Sequence, residues 1–301
     1  MGRNLFIVNP GASGGKGEVA WNRFCNVWPE EIDPADIRVT EGPGHANKIA
    51  ASADGYDILT AVGGDGSVNE IFNGVMKRDG AHPRLAIIPA GTGNDIARNI
   101  GLYPLEAAVK ALKSGNERAF DLIRVDGQEN GREYRSYAFL NGNFGFSGSV
   151  TVRPWTKRIF GATVAYYLNT ILAILNHKPP IMSVRWEDDR YEGRTWMIMA
   201  ANVESVSGGS MRIAPGASPQ DGKLWVTVIE AKPKLTMMFK HLPKVASGDH
   251  VNEDGFHYFP TPKIEITSVV PAVVDIDGEG ERATNVVLSI VPGAVRFLAP
   301  E

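Results

Sequence analysis

Two glycine-rich turns constrain this 301-residue chain more than any other feature. Residues 63–70 read GGDGSVNE, and residues 89–95 read PAGTGND. Each segment follows a short apolar run and precedes a stretch with helical spacing, so each is predicted to be a strand-to-helix turn. Glycine lets a backbone approach a phosphate closely, and the free N–H groups at a helix start favour negative charge. Two such turns on neighbouring strands predict a nucleotide-binding site.

The spacing of strands and helices predicts two domains. Residues 1–122 alternate strand and helix signals, which is typical of an open, mostly parallel sheet with ligands at the carboxyl ends of its strands. Residues 123–291 contain β-rich runs separated by Gly, Pro, Asp and Asn, which predict an all-β antiparallel sandwich. We therefore expect an α/β N-terminal domain that carries the nucleotide site and an all-β antiparallel sandwich as the C-terminal domain. Residues 292–301 are a candidate to return to the first domain.

Composition excludes several classes of protein. The net charge of −3 gives no general attraction to nucleic acid, so no nucleic-acid partner is expected. The only cysteine, Cys25, cannot form an intrachain disulfide, which favours a reducing compartment, and we expect its thiol to be buried and inert. The first apolar run, Leu5–Val8, is far shorter than a signal-peptide core. These features predict a cytoplasmic protein.

One apolar helix is predicted in the β-rich half, over residues 162–176. Spanning a bilayer takes about 20 apolar residues, so no transmembrane segment is expected here. The cations that flank this helix are Arg153, Lys157, Arg158 and Lys178. The preferred interpretation is a helix buried between the sheet and the first domain, and the alternative is an apolar surface that contacts lipid.

The common nucleotide signatures do not fit. Only three residues separate Gly11 from Gly15-Lys16, and Gly17 stands where a Walker motif requires Ser or Thr. Neither glycine turn has the G-x-G-x-x-G spacing of a dinucleotide fold, so a dehydrogenase is poorly supported.

The combined motifs resemble the diacylglycerol-kinase catalytic family, which includes sphingosine kinases and bacterial lipid kinases. The matching segments follow the family's order along nearly the whole chain: Asn9-Pro10, Ser13-Gly14, Thr40, 63–70, 91–95, 208–215, 221–224 and 277–279. The resemblance implies an ATP site in the cleft between an α/β domain and a β-sandwich, with a lipid hydroxyl as the phosphoryl acceptor. It thus implies that residues 1–122 form the ATP-binding domain and residues 123–291 form the lipid-substrate domain.

The resemblance also implies roles for individual residues. The nucleotide site would be lined by Asn9, Thr40, Gly64, Asp65, Gly66, Ser67, Asn69, Glu70 and Thr92. A carboxylate beside phosphates is repulsive unless a cation lies between them, so Asp65 argues for Mg²⁺ (magnesium), bound directly or through water. The family pattern places Asp65 and Asp121 together in a magnesium and water network. The alternative for Asp121 is a turn or strand-end cap.

The segment Asp277-Gly278-Glu279 carries two carboxylates two residues apart, which an extended chain would present on one side. Close like charges raise one pKa, which helps a carboxyl group to accept an alcohol proton. The resemblance makes Glu279 that proton acceptor. The alternative is an acidic hairpin turn, because Asp-Gly is a strong turn signal.

A second, structural metal site is implied by the match of Ser218, Asp221 and Lys223 to some bacterial family members. Asp221 would supply its carboxylate, and the serine and lysine would supply backbone oxygens. The alternative is a hairpin turn over residues 220–223.

We therefore predict an ATP- and Mg²⁺-dependent lipid kinase that acts in phospholipid biosynthesis and transfers a phosphoryl group to diacylglycerol, giving phosphatidate. It would be cytoplasmic, with transient, peripheral contact with the membrane that holds its lipid substrate. One alternative is an NAD kinase, whose family also uses a Gly-Gly-Asp-Gly turn in a related two-domain fold. Another is a lipid-binding protein with the same fold and no turnover. The identity of the lipid stays open, and so does the choice between a monomer and a homodimer.

Overall fold

The computed structural model describes residues 2–129, 132–146 and 173–300. Most of the apolar helix predicted over 162–176 lies outside the described residues, and so do the flanking cations at positions 153, 157 and 158; residues 173–176 are helical. Within the described ranges, no helix is both long enough and apolar enough to cross a bilayer.

The first part of the chain is built on four parallel strands. The strands are β1 (Asn4–Val8), β2 (Ile37–Val39), β3 (Ile58–Gly63) and β4 (Arg84–Pro89), in the spatial order β2-β1-β3-β4. Five helices connect or follow them: α1 (Lys16–Val27), α2 (His45–Ala51), α3 (Asp65–Val75), α4 (Asp95–Asn99) and α5 (Leu105–Ser114). Every residue of β3 is buried, as expected for a parallel strand that is covered on both faces.

The second part is built on antiparallel strands. They are β5 (Glu117–Glu129), β6 (Arg132–Ala138), β7 (Asn141–Gly145), β8 (Ile181–Trp186), β9 (Asp189–Ala201), β10 (Ser205–Val206), β11 (Met211–Arg212), β12 (Leu224–Glu230), β13 (Phe256–Thr261), β14 (Lys263–Ile276) and β15 (Glu279–Leu298). Short helical turns of this part occupy Lys234–Thr236, Met237–His241, Leu242–Val245 and Asp249–Asn252, and one more, Pro34–Asp36, precedes β2 in the first part.

The last strand joins the two parts. β15 pairs antiparallel with β14 and β5, and near its carboxyl end Phe297 pairs in parallel with Leu85 of β4. The ring of Phe297 also packs edge-on against Phe120 and Phe139, with ring centroids 5.9 Å apart in both pairs. Strand pairing with β4 and the burial of Phe297 in the same hydrophobic core as β1, β3 and β4 therefore hold the end of the chain against the first part, although the boundaries at 122 and 291 stay predictions.

The prediction of a buried thiol at Cys25 is wrong, because Cys25 is exposed. Its neighbour Phe24 is fully buried and packs against Phe6 and Trp28. Successive residues of a helix point in directions about 100° apart. Since Phe24 occupies the core-facing side of α1, Cys25 points toward solvent.

Candidate active site

The predicted nucleotide-binding segments meet at one edge of the parallel sheet. Asn9 directly follows β1, Thr40 directly follows β2, and Gly64 directly follows β3. The turn at Gly91 begins two residues after β4 ends. Parallel strands end on the same side of a sheet, so these four positions line the edge at which open α/β sheets bind ligands.

The two glycine turns are in direct main-chain contact. A Cβ atom on Gly64 would lie 2.9 Å from Gly91 Cα, and a Cβ atom on Gly91 would lie 2.7 Å from Gly64 Cα. The amide of Ala90 also donates to the carbonyl of Gly63 at 2.8 Å. Any side chain at Gly64 or Gly91 would push the two turns apart, so glycine is required at both positions by packing.

The loop after β1 contacts both glycine turns. Asn9 Nδ2 donates to Ser67 Oγ at 3.0 Å, and Ser13 Oγ and Thr92 Oγ1 share a hydrogen bond at 3.2 Å. Three loops, one after each of β1, β3 and β4, therefore form a single polar rim.

Two helices begin at this rim without a side-chain cap. They are α1, which has Gly15 at its N-cap, and α3, which has Gly64 there. A Cβ atom on Gly66, in the first turn of α3, would have no neighbouring atom within 4 Å. The first turn of α3 thus has no side-chain cap and has open space beside Gly66, which suits an anion that binds its N–H groups.

The carboxylates of this region cap neighbouring helices. Glu70 accepts hydrogen bonds from the amides of Gly44 (2.8 Å) and Ala46 (3.0 Å) and so caps the start of α2. Asp65 Oδ1 accepts from the amide of Ile96 at 2.9 Å and caps α4. Glu70 therefore positions a helix at this edge, while Asp65 keeps its second carboxylate oxygen available at the rim.

Asp95 is a functional candidate to which sequence reasoning assigned no role. Its carboxylate accepts from the amides of Ser207 (2.9 Å) and Gly208 (2.6 Å), which belong to the second part of the chain. Burial raises the pKa of Asp95, and the nearby charge of Asp65 adds to that rise. The signal that could have identified Asp95 was its place at the end of the second glycine turn.

Asp277 does not lie on an extended chain, so that prediction is wrong. It and Gly278 both have positive φ, of 50° and 95°, and form the two-residue turn between β14 and β15. The acidic hairpin turn left open by the sequence is the observed geometry. Glu279 follows as the first residue of β15 and pairs with Ile276. The Glu279 side chain lies outside what the structure describes, so its catalytic role stays a prediction.

Four hydrogen bonds hold the Asp277 carboxylate. Three successive amides, those of Phe139, Leu140 and Asn141, donate to it at 2.7, 2.9 and 3.0 Å, and Asn69 Nδ2 donates to Oδ2 at 3.0 Å. Burial raises the pKa of Asp277 to about 6, and the four hydrogen bonds act in the opposite direction. Among the described side chains, burial and not a neighbouring carboxylate causes this rise. Asn69 accordingly links α3 to the β14–β15 turn.

Asp121 is almost fully buried, with 3% of its surface exposed. Its two carboxylate oxygens accept from the amides of Gly222 and Gly293, both at 2.8 Å. The side chain therefore ties the turn before β12 to β15, which is the cap that the sequence allowed. Its role in a magnesium network stays a prediction.

The segment at Ser218, Asp221 and Lys223 is a turn closed by its own hydrogen bonds. The Asp221 carboxylate accepts from the amides of Ser218 (3.3 Å) and Lys223 (2.9 Å) and from Trp225 Nε1 (2.9 Å). Throughout the described part of the chain, no three His, Cys, Asp or Glu side chains are grouped to hold a metal ion. The structural metal site at this turn stays a prediction.

Comparisons with known proteins agree with this architecture. Residues 3–125 match the family model of the diacylglycerol kinase catalytic domain, and residues 141–299 match the YegS C-terminal NAD kinase beta sandwich-like domain. A curated relative, putative lipid kinase SAR0780 of Staphylococcus aureus (strain MRSA252), is 30% identical over 273 residues, which cover 87% of this chain and 85% of the relative.

Solved structures show the same two-domain fold with a C-terminal β-sandwich. A putative diacylglycerol kinase from Bacillus anthracis str. Sterne superposes with a TM-score of 0.77 at 22% identity, covering 99% of this chain and 97% of that one. A second diacylglycerol kinase structure from the same organism has a TM-score of 0.70 at 20% identity, covering 99% and 96%. The two family models together match most of this chain. The chain therefore belongs to the diacylglycerol kinase catalytic-domain family of lipid kinases, as its motifs predicted.

Proposed function

We propose that this chain is an ATP- and Mg²⁺-dependent kinase that transfers the γ-phosphoryl group of ATP to the free hydroxyl of diacylglycerol, giving phosphatidate. The observation that carries the proposal is the uncapped start of α3, which is held beside the loops after β1 and β4 by the Gly64–Gly91 contact. A triphosphate is an anion of the right kind for this edge.

The residues at the rim fit a triphosphate. The open space beside Gly66 would let phosphate oxygens approach the first N–H groups of α3, and the hydroxyls of Ser13 and Thr92, which are hydrogen-bonded to each other, belong to the loops after β1 and β4 at the same rim. In the proposal Asn9 orients Ser67, while Thr40 lines the edge at the end of β2. These groups bind and position the nucleotide, which is the main protein contribution to phosphoryl transfer.

The donor set also fits magnesium. Mg²⁺ is usually held by one or two carboxylates together with phosphate oxygens and water. Asp65 would hold it through the oxygen that does not cap α4, and the mutual repulsion of Asp65 and Asp95 marks this rim as a place that favours a cation. When bound, the ion would neutralise phosphate charge. Asp121 enters the proposal as a positioning residue, because main-chain amides occupy both of its oxygens.

On the acceptor side, Glu279 is proposed as the general base. As the new bond forms between the lipid oxygen and the γ-phosphorus, the hydroxyl proton passes to the Glu279 carboxylate, and the bond from the γ-phosphorus to the bridging oxygen breaks to release ADP. Asn69 and Asp277 support this geometry, because their hydrogen bond ties the turn before Glu279 to the helix that would bind phosphate.

The experiment is a transfer assay with γ-labelled ATP and Mg²⁺, in which diacylglycerol vesicles, sphingosine vesicles and NAD are offered separately. We expect label in phosphatidate. Glu279→Gln should keep nucleotide affinity and lower kcat by roughly 10²- to 10⁴-fold. Glu265→Gln, a change at an exposed ion pair on β14, is the matched control and should keep full activity. Label in NADP would instead support the NAD kinase alternative, and nucleotide binding without transfer to any acceptor would support the non-catalytic alternative.

A further inference from the structure

Exposed apolar side chains concentrate in the second part of the molecule. Ten large apolar side chains are exposed among the described residues, and the six in this part are Leu175, Ile181, Leu235, Phe239, Val269 and Val270. Phe239 and Leu235 are 71% and 62% exposed. Because exposed apolar groups that cluster mark interaction surfaces, their relative placement matters.

Strand pairing places three of the six at one corner. β8 begins at Ile181, which pairs with Arg194 on β9. β8 also pairs with β14, and the last pair joins Met182 to Ser268. Val269 and Val270 follow Ser268 on β14, where the register between β14 and β15 shifts.

The helical turns after β12 bring Leu235 and Phe239 to the same corner, and a hydrogen bond from Lys234 Nζ to the carbonyl of Leu175 brings that residue beside them. Leu235 and Phe239 are four residues apart on these turns, so they share one face. The chain just before them is fixed to the corner, since the amide of Ala231 donates to the carbonyl of Arg194 at 2.7 Å. We call this surface the apolar end, defined by the six side chains given above.

Three cations border the apolar end without a carboxylate partner among the described residues. Lys234 Nζ donates to the carbonyl of Leu175, and Arg194 Nη1 donates to the carbonyl of Pro179 at 3.3 Å. Lys178 is exposed and directly precedes Pro179, whose carbonyl Arg194 contacts. Their charges are therefore available to an anionic partner.

We propose that the apolar end docks on the surface of an anionic bilayer. This inference rests on the proposed function, because a diacylglycerol acceptor resides in a bilayer. Apolar side chains that enter the acyl boundary, bordered by cations that meet anionic headgroups, are the usual design of interfacial protein segments. A second copy of this chain fits less well, because its own cations would oppose these three.

The position of the apolar end relative to the proposed base supports this orientation. From Val270, β14 continues to its last residue, Ile276, which immediately precedes the turn that leads to Glu279. Six residues of a strand span roughly 20 Å. One leaflet contributes roughly 15 Å of hydrocarbon. Docking would therefore hold the membrane at a distance comparable with the length of the acceptor lipid.

The test is sedimentation with phosphatidylglycerol/phosphatidylcholine vesicles. Leu235→Gln combined with Phe239→Gln should weaken partitioning by at least about 10-fold. The matched control is Val27→Gln, at an exposed valine on α1, and it should bind like the wild type.

The charge arm uses Lys178→Gln combined with Arg194→Gln, with Lys110→Gln/Lys113→Gln on α5 as the control pair. Each cation removed from the apolar end should cost about 5-fold in affinity for anionic vesicles. The difference between the two pairs should disappear on pure phosphatidylcholine vesicles and shrink at high salt.

A soluble acceptor separates this inference from the proposed function. On monomeric short-chain diacylglycerol, the apolar-end variants should retain wild-type kcat/KM, while their activity on vesicles falls with binding. If the wild type phosphorylates neither form, the proposed function fails, and vesicle binding still tests docking. Unchanged vesicle binding by both variant pairs overturns the inference. The inference is also overturned if an apolar-end variant binds vesicles like the wild type but changes the protein from a dimer to a monomer. The apolar end would then be the contact surface for a second copy of this chain.

Discussion

Asn69→Asp tests whether α3 and the β14–β15 turn are coupled as the structure indicates. Asn69 Nδ2 lies 3.0 Å from Asp277 Oδ2, so the substitution replaces a donor with a second carboxylate. Two unit charges about 4 Å apart repel by about 4 kcal/mol at an effective dielectric constant of about 20. The lost hydrogen bond to a charged group adds about 1.5–3 kcal/mol. At high pH the variant should therefore lose about 5.5–7 kcal/mol of unfolding free energy.

The pH dependence of the unfolding free energy distinguishes the added charge of Asn69→Asp from the loss of a hydrogen bond. The pKa of Asp277 is already raised to about 6, and a second carboxylate raises it further. An acid whose pKa is higher in the folded state than in the unfolded state stabilises the fold when protonated, and this stability is lost as pH rises through the folded pKa. The pair should therefore keep a shared proton up to a pKa above 6, and the deficit of the variant relative to the wild type should grow by up to about 1.4 kcal/mol per pH unit from pH ~6 to that raised pKa.

Urea unfolding followed by tryptophan fluorescence at pH 5, 7 and 9 measures this effect. Asn69→Ala is the matched control, because it removes the same hydrogen bond without adding charge. It should lose about 1.5–3 kcal/mol, and its deficit should be nearly constant between pH 7 and 9. If the deficit of Asn69→Asp is equally constant, the two side chains are not in contact and the coupling described above is refuted.

Three further predictions concern other sites. In the same urea assay, Gly64→Ala should lower the free energy of unfolding by about 1–3 kcal/mol, because its Cβ would press on Gly91. The control is Gly66→Ala, whose Cβ meets no atom and which should change stability by less than about 1 kcal/mol. The thiol of Cys25 should react stoichiometrically with a maleimide in the native protein, and protection until denaturant is added would contradict its exposure. Asp121→Asn should lower the free energy of unfolding by about 1–3 kcal/mol, because one main-chain amide would face the NH₂ group of the new side chain. An unchanged urea midpoint would contradict the role of Asp121 as a cap.

The parts of the fold that sequence predicted are those with local signals. Apolar runs followed by glycine turns identified the ends of β3 and β4, and their convergence at one edge follows from parallel strand geometry. The hairpin signal of Asp277-Gly278 was equally local. The hairpin remained an alternative in the sequence analysis because the resemblance makes Glu279 the proton acceptor.

The side-chain partners at the site could not be predicted in this way, because they are distant in sequence. Asn69 and Asp277 are 208 residues apart, and Asp95 and Gly208 are 113 residues apart. No helical or strand period connects such positions. The exposure of Cys25 was missed for a related reason, since the side of α1 that faces the core depends on where Phe24 packs.

The first glycine motif therefore combines two physical roles along one helix. The first turn of α3 offers main-chain N–H groups along the helix axis, where an anion can bind without any side chain. Asn69 and Glu70 come one turn later, and helical side chains project away from the axis, so they reach neighbouring elements instead. Glu70 fixes the start of α2, and Asn69 fixes the turn that leads to Glu279. In the proposed kinase, residues 69 and 70 would therefore act on the nucleotide only by positioning α2 and the β14–β15 turn, and we expect their substitution to lower kcat more than it raises the KM for ATP.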